Sequence, residues 1–144
     1  MINVTSFIVQ QLVNDPELKT AQYGSVAPNN IFVGPEDIVV EAQGTPANTQ
    51  QLVMPQINIR VISEQSRTVP LAVRDIRMQT DIWSNQNQLQ ADTIYERVVS
   101  ILNLIIANNN GTHIFWMKLD ACVDMYDDSV RLWHKSFDFR FWVF

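Results

Sequence analysis

A strict two-residue alternation near the middle of the chain is the pattern that most constrains its fold. Apolar or small side chains alternate there with charged, amide and indole side chains, in the order Asp75-Ile76-Arg77-Met78-Gln79-Thr80-Asp81-Ile82-Trp83. Successive side chains of a β-strand point to opposite faces of its sheet, so the pattern predicts a strand over residues 69–83 with one face in the core. We expect the other face to be solvated or to lie in an interface.

A second alternating run predicts the neighbouring strand. Ile57, Ile59 and Val61 alternate with mostly polar residues, and a turn is predicted over residues 64–68, before the next strand. The apolar run Ile31-Phe32-Val33 predicts a further short strand, which Gly34 ends. The centre of the chain therefore predicts a sheet rather than a helical bundle.

The last 33 residues predict one β-hairpin, with a strand over 112–126, a turn at 127–128 and a returning strand over 129–144. Pairing centred on that turn would place Cys122 opposite Trp133. Alternating residues of the returning strand share one apolar face: Phe137, Phe139, Phe141 and Val143. The hairpin therefore presents one face suited to the core.

Helical spacing of apolar residues predicts two helices. A short first helix spans Phe7 to Val13, and Asp15 is placed to cap the turn that follows it. A longer helix is predicted over about residues 87–107, and its polar stripe is narrow. A helix that covers one sheet usually leaves about half of its surface polar, so we expect this helix to contact something on a second side.

These elements predict an α+β fold in which helices pack on one face of an antiparallel sheet that ends in a C-terminal hairpin. A length of 144 residues fits a single domain over 1–144. Residues 42–51 carry no charge and are rich in turn-forming residues. The segment 35–54 is therefore predicted to be a flexible loop or an extended arm.

Composition excludes several classes of function. Fifteen acids against ten basic residues give a net charge of −5, which argues against binding nucleic acid by a general basic field. Four glycines are too few for a glycine-rich phosphate loop, and one cysteine excludes a disulfide framework or a multi-cysteine metal site. The first residues lack a basic signal region and no apolar window is long enough for a membrane span, so a reducing compartment is expected.

The candidates for catalysis are few. Cys122 lies between Asp120 and Asp124 with no histidine obviously beside it, so it is interpreted as a small buried residue of the core. Asp120 and Lys135 fall on paired strands, as in the active site of a nuclease or in an ordinary cross-strand ion pair. No catalytic residue, metal ligand or cofactor is predicted, and a small metal-dependent nuclease stays as the alternative from a different class.

Aromatic residues exceed what one small core needs. Tryptophans at 83, 116, 133 and 142 join the phenylalanines of the last strand. Aromatic side chains on both faces of a sheet are typical of interfaces between proteins. The alternative is a sheet that buries both of its faces within the subunit.

The order of these features resembles the tail terminator, or tail completion, proteins of long-tailed bacteriophages. The resemblance rests on the segments Asp15-Pro16-Glu17-Leu18, Ile31-Phe32-Val33, Pro55-Gln56-Ile57-Asn58-Ile59-Arg60-Val61, Gln79-Thr80-Asp81-Ile82-Trp83-Ser84 and Phe139-Arg140-Phe141, in that order. The sharpest local match is the fourth segment, which leads into the long helix. The segment 35–54 departs from the compact form of the family.

The resemblance implies a structural virion protein and no enzyme. Such proteins form a hexameric ring on the last ring of the tail tube, stop its growth and join the tail to the head connector, or stopper. The implied partners are other copies of the chain, the tail tube protein, the connector and in some particles a sheath, with no membrane. The implied location is the neck of the virion, assembled in the host cytoplasm.

Genomic DNA would pass through the ring without sequence recognition, and an acidic lumen would let it slide. A head-tail connector (stopper) or a tail tube subunit is the alternative role within the same particle. The predicted interface residues come from the 35–54 segment, the central strands, the long helix and the hairpin: Glu36, Asp37, Gln43, Asn48, Gln50, Arg60, Arg74, Arg77, Asp81, Trp83, Arg97 and Trp142.

Overall fold

The computed structural model describes residues 4–23, 25–26, 30–33, 55–67, 73–103, 108–109, 112–128 and 131–143. Two α-helices and six strands follow the order α1 (Val4–Val13), β1 (Ile31–Val33), β2 (Gln56–Arg67), β3 (Val73–Ser84), α2 (Gln88–Asn103), β4 (Asn108–Asn109), β5 (Thr112–Asp127) and β6 (Leu132–Val143), with a 3-10 turn at Ala21–Tyr23. The predicted α+β class is confirmed.

One sheet holds all six strands in the order β1-β2-β3-β6-β5-β4. The four long strands β2, β3, β6 and β5 are antiparallel to their neighbours, as predicted. The short β1 departs from the prediction because it runs parallel to β2. A parallel neighbour needs a long connection, and the chain has one between residues 33 and 56.

The core lies between the helices and one face of the sheet, which we call the helix face. Its strand residues alternate as predicted, with Ile57 and Ile59 on β2, Ile76, Met78 and Ile82 on β3, and Phe137, Phe139, Phe141 and Val143 on β6. Each such side chain, when fully buried, contributes about 1.5–3 kcal/mol through the hydrophobic effect. The opposite face of the sheet is called here the far face.

Helix α2 covers β3 and β6 with a narrow buried stripe at Ala91, Ile94, Val98 and Leu102. The spacing of three and four residues keeps this stripe on one side of the helix. Asn87 caps the helix by accepting a hydrogen bond from the Gln90 amide at 2.8 Å. The predicted end of the helix at residues 104–107 lies outside the described residues.

Helix α2 also contacts α1. Its narrow polar stripe predicted a contact on a second side of the helix, and α1 provides such a contact. The turn after α1 is built as the sequence indicated, since the Leu18 amide donates to Asp15 Oδ2 at 3.1 Å. Ile8 and Leu12 of α1 are buried in the common core. The wide apolar arc of the long helix is therefore explained in part within the subunit.

The predicted turn at residues 64–68 is wrong, because β2 continues through Glu64 to Arg67 and pairs with the start of β3. A β-bulge between Val61 and Ser63 interrupts the alternation. Bulges bend a strand and increase its twist. Residues 61–66 are all exposed, although the strand remains paired with β3 along this stretch.

The hairpin is confirmed, but its register differs from the predicted one. Cys122 lies opposite Phe137 and not Trp133, because the strands part only between Asp127 and Leu132. A two-residue turn of type I′ requires a positive φ at both central residues, which favours Gly after Asp. This chain has Asp127-Asp128 and places the positive φ at Arg131 instead, at 55°. Next to the turn the longer connection moves the register by four residues, an even number, so residues 121–127 keep their faces. Irregularities between Leu119 and Ala121 and between Ile114 and Trp116 change the offset further along β5.

Candidate assembly interface

A polar network crosses the far face of the sheet and ties three strands together. Arg60 Nη2 on β2 donates to Gln79 Oε1 on β3 at 2.8 Å. Gln79 Nε2 in turn donates to both carboxylate oxygens of Asp81, at 3.1 and 3.2 Å, and to Ser136 Oγ on β6 at 3.0 Å. Side-chain networks of this kind rigidify the surface that carries them.

Asp81 and Trp83, predicted as interface residues, are instead buried inside the subunit, at 0% and 1% exposure. His134 Nε2 lies 2.7 Å from Asp81 Oδ1, and the Trp83 ring stacks on the His134 ring at 3.9 Å between centroids. His134 is itself only 3% exposed. Asp81 and His134 contact each other inside the subunit, and both side chains are buried from solvent.

Several buried polar groups lie at the same end of the far face without a hydrogen-bond partner. Asn58, at 0% exposure, has neither its amide nitrogen nor its amide oxygen bonded, and Gln56 Oε1 and Trp83 Nε1 are also unsatisfied. In register, Gln56 faces Trp83 and Asn58 faces Asp81. Each unsatisfied buried group lowers the free energy of unfolding by about 1–3 kcal/mol, so the polar groups at this end of the far face reduce the stability of the fold.

The other end of the far face carries two ion pairs. Arg77 Nη2 lies 2.7 Å from Asp138 Oδ2, and Arg140 donates twice to Asp75, at 3.0 and 2.6 Å. The two guanidinium groups and Asp75 line an open cleft of about 170 Å³ together with Ser63 and Gln65. Both arginines stay over two fifths exposed, so they are available for contact with a partner.

Lys135 lies on the helix face between two carboxylates. Its ammonium group is 2.8 Å from Asp92 Oδ1, 2.9 Å from Asp124 Oδ1 and 4.6 Å from the centre of the Tyr95 ring. Burial opposes the charge, but the hydrogen bonds to Asp92 and Asp124 outweigh it and raise the pKa of Lys135 above its ordinary value. Lys135 therefore stays charged and bound to both carboxylates.

The predicted Asp120–Lys135 pair is wrong. Asp124 is the residue directly opposite Lys135, whereas Asp120 falls at a bulge between Leu119 and Ala121. The longer hairpin turn causes this difference, because it moves every cross-strand partner along β5. The nuclease alternative therefore loses the pairing that suggested it.

Cys122 is exposed, which contradicts its interpretation as a buried core residue. Helix α2 covers β3 and β6, and the outer strand β5 extends beyond it. For this reason Cys122 and Asp124, on the helix face of β5, stay exposed. Burial of Tyr95, with the nearby Cys122 thiol as a further cause, raises the pKa of the Tyr95 hydroxyl.

Arg97 makes its contacts with two acidic residues of the same subunit. Its guanidinium donates to both oxygens of Asp15, at 3.0 and 2.7 Å, and lies 3.3 Å from Glu17 Oε2. The hydrogen bonds from Arg97 lower the pKa of Asp15, and the same bonds raise the pKa of Arg97. The side chain is one quarter exposed, so it offers little free surface to a partner.

The remaining predicted interface residues lie on the two faces of the sheet or outside the described residues. Arg60, Arg77 and Trp142 share the far face, while Arg74 lies on the helix face beside Glu64. The predictions in the 35–54 segment lie outside the described residues: Glu36, Asp37, Gln43, Asn48 and Gln50. The structure therefore places three of the predicted residues on one partly exposed face.

Sequence reasoning missed the exposed apolar side chains at the two sides of the sheet. Most large hydrophobic residues with high exposure lie on β1, β2 and β5: Val33, Val61, Ile62, Val123, Met125 and Tyr126. The exception is Leu89, in the first turn of α2. An alternating pattern shows which face a residue takes, but not whether the strand lies at an edge.

Metal and membrane sites find no support in the described part of the chain. No group of three or more histidine, cysteine or acidic side chains there is arranged to hold a metal ion. None of the helices described is long and apolar enough to cross a membrane.

Comparison with known proteins gives a structural neighbour. No protein family model matches the chain, and no curated protein matches it. A solved structure described as the virion of a native gene transfer agent (GTA) particle contains a chain of similar structure, with a TM-score of 0.69 and 13% sequence identity. The match covers 97% of this chain and 93% of that chain. At this identity the likeness shows a shared fold.

Proposed function

We propose that this protein is a structural component of a phage-like virion, and that it acts as the tail terminator. The observation that carries the proposal is the structural match to a chain of a gene transfer agent virion over nearly the full length of both chains. The order of sequence features independently resembles tail terminators. In this role a ring of copies ends the tail tube and joins it to the head connector.

The surfaces support assembly. A ring needs two different patches on each subunit, because a head-to-tail contact joins one patch to the other on the next copy. This subunit exposes apolar side chains at opposite sides of its sheet, with Val61 and Ile62 on β2 and Val123 and Met125 on β5. Exposed apolar surface of this kind is typical of interaction sites.

The polar clusters support a structural role. Lys135, Arg97 and His134 each contact carboxylates within the subunit, and these contacts join separate elements. A general acid or base needs access to a substrate, which the buried His134 lacks. These three side chains thus connect elements within the fold.

The charge balance suits a ring through which DNA passes. With a net charge of −5, the protein repels phosphates on average, so a lumen lined by this chain would release DNA rather than hold it. The exposed Arg77 and Arg140 are each paired with an aspartate, which offsets their attraction for DNA.

The test is deletion of the encoding gene in a cell that produces the particle, followed by electron microscopy of the products. A terminator predicts tails of uncontrolled length and DNA-filled heads without tails, both corrected by the wild-type gene. Tails of normal length beside unattached heads would indicate a connector instead. Loss of all tube would indicate a tube subunit.

A second measurement separates the enzymatic alternative. Purified protein is incubated with DNA and Mg²⁺ or Mn²⁺, using Asp120→Ala and Asp124→Ala as controls. We expect no cleavage by any of the three proteins. Metal-dependent cleavage that either substitution abolishes would contradict the structural role.

A further inference from the structure

Two strand edges of this subunit lack a partner strand in the described part of the chain. The outer edge of β2 pairs with β1 only from Ile57 to Ile59, which leaves the stretch 61–66 bare. The outer edge of β5 pairs with β4 only at Thr112 and His113. An uncovered edge presents a row of backbone donors and acceptors that a further strand can join.

Both bare edges are exposed rather than hidden. All residues of the β2 stretch 61–66 are exposed, and so are residues 122–126 of β5. On β5, Val123 is 53% exposed and Met125 and Tyr126 are 45% exposed. Natural proteins usually blunt a free edge with charge or proline, so apolar side chains at a free edge indicate that it is used.

The directions of the strands make the two edges complementary. Because β2, β3, β6 and β5 are each antiparallel to the next, β2 and β5 run in opposite directions. If a second copy is placed beside the first in the same orientation, its β2 meets β5 of the first copy antiparallel. The junction then repeats the pairing found inside the sheet.

The charges of the two edges also differ. The β5 stretch and the turn after it carry Asp124, Asp127 and Asp128 with no basic residue between 122 and 128. Around the bare end of β2 the arginines at 67, 74, 77 and 140 outnumber the acids at 64, 75 and 138. Opposite charge steers association and fixes the register of two surfaces.

We propose that the β5 edge at residues 122–127 pairs antiparallel with the β2 edge at residues 61–66 of a second copy of this chain, so that the sheet continues from subunit to subunit. This inference rests on the ring-forming role proposed above. Within one subunit, β2 residues 61–66 are level with β5 residues 114–119 through β3 and β6. The contact therefore staggers neighbouring copies along the strands, as strands are staggered around a closed barrel.

The single cysteine gives a direct test. Variants that add one cysteine on the helix face of β2, the face that Cys122 takes on β5, are Val61→Cys, Glu64→Cys and Ser66→Cys. They keep the native Cys122, and the particles that contain them are oxidised and run on a non-reducing gel. Because each copy then carries both halves of the contact, we expect disulfide-linked ladders larger than dimers at one or two of the three positions. Adding Cys122→Ser should remove the ladders.

Two controls address other arrangements. Ser100→Cys places the second cysteine on the exposed side of α2, where no ladder is expected. The wild-type protein should stay monomeric on the gel, since Cys122 faces β2 of the next copy. A wild-type dimer would show pairing of β5 with β5 and would overturn the proposal.

Disruption of the edge gives an independent readout. Val123→Lys with Met125→Lys adds charge to the edge and should weaken self-association about tenfold or more. Leu89→Lys is the matched control, because Leu89 is 72% exposed but lies on a helix, and it should leave self-association unchanged. Circular dichroism and thermal unfolding check that all variants fold.

The outcomes separate the two proposals. One outcome is a ring at the particle neck with no disulfide ladder and with normal assembly of the Val123→Lys, Met125→Lys variant. That outcome would overturn the edge pairing but not the terminator role. Particles that lack the protein at the neck would overturn both. Ladders together with neck rings support both.

Discussion

Asp15 shows how one side chain can join distant parts of this chain. Its carboxylate accepts a hydrogen bond from the Leu18 amide three residues ahead and two from Arg97, which lies 82 residues further along the chain. It therefore both caps a local turn and fastens α1 to α2. Bidentate pairs of this type are among the stronger hydrogen bonds in proteins.

Replacement of Asp15 by asparagine should lower the free energy of unfolding by about 2 kcal/mol at pH 7, because the charge-assisted bonds to Arg97 are lost. The pKa of Asp15 is lowered from 3.8 in the folded protein. Its stabilising contribution is therefore complete above pH 3.8 and is lost as the pH falls through the lowered pKa. The difference between wild type and variant should shrink over that acidic range.

Urea unfolding at pH 7, 5, 4 and 3 measures this difference. Glu17→Gln is the matched control, since Glu17 is about half exposed and lies 3.3 Å from the same arginine. Exposed pairs contribute little, so the control should change stability by less than about 0.5 kcal/mol. Equal stability of wild type and Asp15→Asn at pH 7 would contradict the role given to Asp15.

Residue-level predictions were right where the chemistry is local. The cap at Asp15 follows from its position before Pro16, and the Leu18 amide donates to it. They were wrong where neighbours come from other strands. Trp83 was expected at an interface because an indole on a polar face suggests one, but His134 stacks on it within the subunit.

At the scale of elements, α2 connects the sheet to the rest of the fold. Its buried stripe packs on β3 and β6, and its other side reaches α1. Lys135 on β6 also bridges to Asp92 on α2 and to Asp124 on β5. Burial works against the charge of Asp92, but hydrogen bonds from Lys135 and Gln88 prevail and lower the pKa of Asp92.

Truncation in this stripe should destabilise the protein strongly. Ile94 is fully buried on α2, so Ile94→Ala should cost about 2–5 kcal/mol through lost burial and the cavity left behind. Leu89→Ala on the same helix is the control and should cost less than about 0.5 kcal/mol, because Leu89 is mostly exposed. Thermal and urea unfolding measure both, and similar losses would show that α2 is not held by this stripe.

The hairpin shows which part of an element the sequence determines. The alternation of Phe137, Phe139 and Phe141 fixes the face that each residue takes, and all three are buried. The register depends on where the turn closes, which local chemistry at Asp127 and Asp128 did not determine. Next to the turn, an error of four residues left the faces intact but changed the cross-strand partners.

At the scale of the whole molecule, the sheet is polar on one face and packed on the other, and two of its edges lack a partner strand among the described residues. The fold buries its core in the manner of an ordinary α+β domain. Exposed apolar side chains remain at the sides of the sheet, and unsatisfied polar groups remain under its far face. Both features are typical of a subunit that covers such groups when it assembles with other subunits.

The segment 42–51 provides a test of assembly at this scale. It carries no charge and few apolar residues, so its deletion should leave a folded protein that no longer joins its neighbours. Circular dichroism and unfolding measure the fold, and electron microscopy of particles measures the joining. Loss of the fold on deletion would contradict the prediction, and a substitution of the same length by Gly and Ser separates the effect of length from that of sequence.

The fold class, the main elements and most residues that face the core could be predicted from the sequence alone. These depend on the periodicity of apolar side chains, which is a local property of the chain. The three-dimensional structure was needed to show that β1 is parallel, that Asp124 rather than Asp120 faces Lys135, that Asp81 and Trp83 are enclosed, and that Cys122 lies exposed on an outer strand. Strand order and register depend on contacts between residues far apart in the chain, and periodicity carries no information on which strands become neighbours or which edges stay open.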